Sequence, residues 1–217
     1  MPFGRFWGST IGKKVVMAVT GIVLVGYILA HVTANLLIFV SPSAIDGYAA
    51  SLRTMPVLLW GVRVLLLVSV VLHIVAATQL AVLARAARPT PYQRFDPQAS
   101  SPASRTMRWG GVALLLFVVY HILHFTTGQA HPDFIHLAPA HNITTAFRVW
   151  WVAAIYIAAM FALALHLYHG TWSMFQTLGI EHARVNAARR WFATILAVLV
   201  PVGFVSVPIA VLIGALR

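Results

Sequence analysis

Five stretches of this chain are apolar for long enough to cross a lipid bilayer, and they constrain its fold more than anything else in the sequence. They run approximately over 15–40, 57–84, 109–127, 149–172 and 191–216. A crossing takes about 20 helical residues. The expected fold is therefore an all-α integral membrane protein, with five transmembrane helices in a single domain over residues 1–217. The first stretch does not read as a cleaved signal peptide, because its apolar region is too long and no small-residue cleavage site closes it. The last contains Pro201 and Pro208. Membrane helices tolerate proline, so a kinked span is expected there.

Composition agrees and narrows the chemistry. Of the 217 residues, 60% are hydrophobic and 9% charged, and the mean hydropathy is +0.86. A soluble domain of this size needs far more charge to cover its surface. The absence of cysteine excludes disulfides, iron–sulfur ligation and covalent c-type haem attachment within the chain. Only four acidic residues are present, too few for a carboxylate cage. Ten histidines remain as the main chemical resource.

The net charge of +11 lies in short segments between the apolar stretches, with no basic helix face or aromatic nucleic-acid motif, so nucleic acid is excluded as a partner. Such loop charges set membrane topology instead. Eleven of the fifteen basic residues fall on one side: Arg5, Lys13, Lys14, Arg85, Arg88, Arg94, Arg105, Arg108, Arg184, Arg189 and Arg190. Arg53, Arg148 and Arg217 fall on the other, with Arg63 just inside the second span. The positive-inside rule makes the first side cytoplasmic, with the N-terminus inside and the C-terminus outside a prokaryotic cytoplasmic membrane. The polar, proline-rich segment 86–106 reads as an extended cytoplasmic loop. Trp60, Trp109, Trp150, Trp172 and Trp191 stand at span ends, as interfacial tryptophans do.

Six histidines lie inside the spans: His31, His73, His121, His124, His166 and His169. An ionisable side chain within a membrane is costly and usually faces a partner, a cavity or a cofactor. A lone one is as readily an interhelical hydrogen bond. Here four different helices each carry one, at two depths. His31, 17 residues beyond Lys14, and His121, 13 beyond Arg108, lie in the outer halves of their helices. His73, 12 before Arg85, and His166, 18 past Arg148, lie in the inner halves. Two levels with two histidines each are what two stacked bis-histidine haems need, making four of the helices a haem-binding bundle. An iron filled on both faces has no open position, so its work is electron transfer, with a membrane quinone as the apolar exchange partner.

Small residues accompany these histidines. Ala154, Ala158, Ala162, His166 and Gly170 form one ridge, Ser69, His73, Ala77 and Ala81 another, and Gly26, Ala30 and Ala34 lie near His31. Such ridges suit ordinary helix packing as well as a flat cofactor. His124 and His169 each follow a deeper histidine by three residues, as alternative ligands or as hydrogen-bonding neighbours of a propionate. Arg63 is expected either to snorkel or to pair with a propionate of the outer haem. His131, His136, His141 and His182 are expected at the loop surface, as are the carboxylates of Asp46 and Asp133.

The pattern resembles the single-subunit, two-haem cytochrome b anchor of succinate dehydrogenases and quinol:fumarate reductases. The resemblance covers essentially the whole chain. It rests on TGIVLVGYILAHVTANL around His31, LHIVAATQLAVLARAARP around His73, VVYHILHFTTG around His121 and ALHLYHGTWSMFQTLGI around His166. It implies a subunit of respiratory complex II that holds two haems b and docks an iron–sulfur subunit and an FAD-bearing flavoprotein on its cytoplasmic side. Electrons from succinate would pass from the iron–sulfur clusters to the inner haem (His73 and His166), then to the outer haem (His31 and His121), and on to a quinone, commonly menaquinone. The dicarboxylate site would lie on a partner, since no flavin-binding glycine motif is present here. Some two-haem fumarate reductases carry a glutamate where this chain has Ala164, so a compensating proton route is not expected. The competing readings are the cytochrome b of a formate dehydrogenase or hydrogenase, and a non-haem membrane transporter.

Overall fold

The computed structural model describes residues 2–87 and 101–217, and every regular element among these is a helix. A short α1 (Pro2–Gly8) leads into α2 (Thr10–Asn35), which ends in a 3-10 turn over Leu36–Phe39. Then come α3 (Pro42–Arg53), α4 (Pro56–Ala86), α5 (Pro102–Phe125), α6 (Pro139–Phe147), α7 (Trp150–Thr177) and α8 (Ala183–Leu212). Five of these, α2, α4, α5, α7 and α8, are long and apolar enough to span a membrane. The large apolar side chains of α4 point outward, Val57 at 87% exposure and Leu67 at 66%. A surface of that kind belongs in lipid.

Local chemistry sets the helix limits. Ser9, Ser41 and Ser101 accept hydrogen bonds from the first free amides of α2, α3 and α5. Proline opens α3, α4, α5 and α6, where a missing amide costs nothing. Gly179 and Gly214, at φ +74° and +76°, take the left-handed conformation just past α7 and α8.

Several helices outrun the apolar stretches. The segment expected as loop over 86–106 is helical at Ala86 and again from Pro102, and residues 88–100 lie outside the described residues. Arg105 and Arg108 therefore ride on the first turns of α5, while Arg184, Arg189 and Arg190 ride on α8. Pro201 and Pro208 both lie within α8. The two connections away from the basic side are not plain loops, since they contain α3 and α6.

These two helices cap one end of the bundle, called the far end below. Ile38, Ile45, Ile143 and Phe147 pack there with Val152 and Tyr156 of α7 and Val207 and Val211 of α8. Removing each isoleucine from water contributes about 1.5–3 kcal/mol. Asp46 is not a free loop carboxylate, because it accepts from the Ala140 amide at 2.9 Å and ties α3 to α6. Arg53 donates to His136 at 3.0 Å across the same face.

At the basic end, Lys13 lies inside α2 rather than before it, and it is buried. Its Nζ donates to the carbonyls of Trp7 and Gly8 at 2.6 and 3.2 Å, satisfying the end of α1. Arg189 is also buried. It donates to the Ile180 carbonyl and stacks on Trp172, so Trp172 is a strut of the α7–α8 turn rather than a simple interfacial ring.

Gly12 fixes how closely α1 folds onto α2. A Cβ there would stand 1.9 Å from the Phe6 carbonyl oxygen. Gly12→Ala is expected to pry α1 loose at a cost of about 1–3 kcal/mol. Limited proteolysis should then cut ahead of residue 12 at an increased rate, and unchanged protection would contradict the packing.

Candidate functional site: two histidine pairs

Close packing joins α4 to α2, α2 to α7 and α7 to α5. The histidines join the other combinations, α4 to α7 and α2 to α5, which are the diagonals of that four-helix arrangement.

Nearer the basic end, the rings of His73 (α4) and His166 (α7) have centroids 6.4 Å apart, inclined at 51°. Thr20 of α2 orients the first. Its hydroxyl donates to the Val16 carbonyl at 2.7 Å, which leaves its oxygen to accept from His73 Nδ1 at 3.1 Å. His73 Nε2 then keeps its lone pair. Glycines flank both rings. A Cβ on Gly21 would lie 3.6 Å from His73 Cε1, and one on Gly111 of α5 would lie 4.0 Å from His166 Cε1. Among the described residues, the buried Nδ1 of His166 has no hydrogen-bond partner. An orphaned buried nitrogen is an expense a fold rarely carries without reason.

At the far end, His31 (α2) and His121 (α5) have centroids 5.8 Å apart and rings at 80°. Tyr27 stacks on His31 at 5.4 Å, Phe204 of α8 approaches it at 5.6 Å, and Phe117 lies 5.9 Å from His121. Asn35 donates to the His31 carbonyl at 2.7 Å.

Both separations fit a metal held between two imidazoles. Metal–nitrogen bonds of about 2.0 Å, with about 1.1 Å from each nitrogen to its ring centre, put the two centroids roughly 6 Å apart. Each site offers two imidazoles and, among the described residues, no group of three or more potential metal ligands. A set of two suits an iron whose other four donors belong to a macrocycle.

The remaining candidates divide. His124 is buried with its Nδ1 2.9 Å from the Tyr156 hydroxyl, which makes it a neighbour of His121 rather than half of another diagonal pair. His169 is half-buried on α7. Arg63 lies over the Trp60 ring at 4.9 Å, consistent with snorkelling toward the far interface. His131 is not a surface residue. It is 5% exposed, stacks on His124 at 4.9 Å and reaches the Asn142 carbonyl at 2.9 Å. Of the alanine ridge, Ala154 and Ala158 are exposed while Ala162, His166 and Gly170 are half-buried, so only its lower part faces the other helices.

A sequence model described as the succinate dehydrogenase/fumarate reductase transmembrane subunit matches residues 84–205, more than half of the chain. The chain belongs to this family. No curated protein and no solved structure matches it. The matched stretch of this transmembrane subunit takes in His121 and His166, one member of each pair. His31 and His73 lie outside the match and are tied to it by the geometry alone.

The sequence assigns no role to Thr20, Gly21, Gly111 or Tyr156, although Thr20 and Gly21 open the motif around His31. A threonine or tyrosine inside an apolar run carries no spacing signal. Only the neighbouring helix reveals what its hydroxyl meets.

Proposed function

We propose that this subunit is the membrane-anchor cytochrome b of a succinate:quinone oxidoreductase, with His73 and His166 holding one b haem and His31 and His121 the other. The observation that carries the reading is the two diagonal pairs, 6.4 and 5.8 Å apart. Such haems, when bound, would supply one-electron transfer. This chain's residues orient the ligands: Thr20 sets the proton of His73 on Nδ1, and the aromatic rings around His31 and His121 exclude water.

The basic end is the cytoplasmic one in this reading, and it receives the iron–sulfur subunit and the FAD-bearing flavoprotein. The electron acceptor is a membrane quinone, menaquinone by resemblance. Purifying the tagged chain from its native membranes tests the assignment. Co-purifying FAD, and haem that succinate reduces, are the expected results. Haem that formate or hydrogen reduces, with no flavoprotein, would replace this reading with another cytochrome b.

A further inference from the structure

Tyr156 places a hydroxyl between two imidazoles, 3.4 Å from His121 Nδ1 and 2.9 Å from His124 Nδ1. The residue is 7% exposed and boxed in edge-on by Phe117, Phe125 and Phe147, so its ring has nowhere else to turn. We propose that Tyr156 is a positioning residue that holds His121 in one rotation and tautomer and lowers the reduction potential of the far-end haem. The inference rests on the two-haem reading above.

Proton counting leads there. A phenol has a single proton, so a hydroxyl shared by two ring nitrogens donates to one and accepts from the other. With His121 Nε2 turned to a metal, its proton sits on Nδ1 and can only be donated. Tyr156 therefore accepts from His121 and donates to His124 Nδ1, which is also the shorter contact. His124 is held in turn. Tyr120 stacks on its ring at 5.1 Å and His131 at 4.9 Å. His131 itself has no freedom, because its Nε2 donates to the Asn142 carbonyl while its Nδ1 accepts from the Asp133 amide at 3.2 Å. An acceptor on the far nitrogen of a metal-bound imidazole raises its basicity and favours the more highly charged metal. The direction is a lower potential. In the other pair, His73 has a comparable acceptor in the Thr20 hydroxyl, and His166 Nδ1 has none among the described residues.

The test is a spectroelectrochemical titration of both haems in the purified, haem-loaded protein, for wild type, Tyr156→Phe and Tyr120→Phe. Tyr120 stacks on the same histidine, and its hydroxyl has no hydrogen bond among the described residues, so its variant controls for repacking. Tyr156→Phe is expected to keep two haems and raise one midpoint, enough to change that haem's oxidised-to-reduced ratio several-fold at fixed potential, while the second haem and the Tyr120→Phe protein stay unmoved. Two haems with unchanged midpoints in Tyr156→Phe, or an equal shift in Tyr120→Phe, would overturn the role of Tyr156 and leave the two-haem reading standing. A wild type with fewer than two haems would overturn both.

Discussion

Gly21→Leu is expected to lose the haem at the basic end and keep the one at the far end, so that haem per chain falls from two to one. Gly21 lies next to Thr20, and a Cβ there already touches His73, at 3.6 Å from Cε1 and 4.0 Å from Nδ1. That distance is ordinary van der Waals contact, so Gly21→Ala should be nearly silent. Leucine adds three further carbons beside the imidazole, and in a close-packed interior they have to displace it. Moving the ring also breaks the Thr20–His73 hydrogen bond, and losing the partner that orients a metal-bound histidine typically weakens the site about 10–100-fold. Pyridine haemochrome quantification on the purified variants gives the answer directly. Two haems in Gly21→Leu would mean that the space beside His73 is not the cofactor's.

The second large effect is structural. Gly128→Ala is expected to destabilise the far-end cap by about 2–4 kcal/mol, from two costs at one position. Gly128 has φ +77°, where an alanine is strained, and its Cβ would lie 2.4 Å from Phe134 Cδ1. The damage should spread along a short path. The Gly128 carbonyl accepts from the His131 amide at 3.1 Å, and His131 reaches the Asn142 carbonyl. The Asn142 side chain then holds both the amide and the carbonyl of Ile135, each at 2.8 Å. A lowered melting temperature in detergent, with new protease cuts between residues 126 and 138, is the expected result. An unchanged melting temperature would show that the cap does not depend on this turn.

Both predictions draw on glycines that lie within the motifs quoted above but whose packing roles the sequence does not state, and the reason is physical. The spans were legible because apolar length is a local property, and the histidine levels followed from counting residues to the charged ends of each helix. The first turns of α5 and α8 were missed because arginine is a good helix former that an apolar window cannot see. The helices α3 and α6 carry their own start signals, Ser41–Pro42 and Pro139, but are too short and polar to stand out from a loop. The burial of His131 was out of reach. Its partners, Asn142 and His124, are chosen by the fold of the cap. Thr20 and Gly21 gain their meaning only when α4 is laid against α2.

The claim under all of this is that the two diagonal pairs are two separate haem sites. The dithionite-reduced minus oxidised spectrum of the purified protein, with haem counted per chain, tests it in wild type, His73→Ala and His31→Ala. Two b haems in the wild type, with a different one missing from each variant, is the predicted result. A single haem in the wild type, none at all, or the same haem lost from both variants would contradict it.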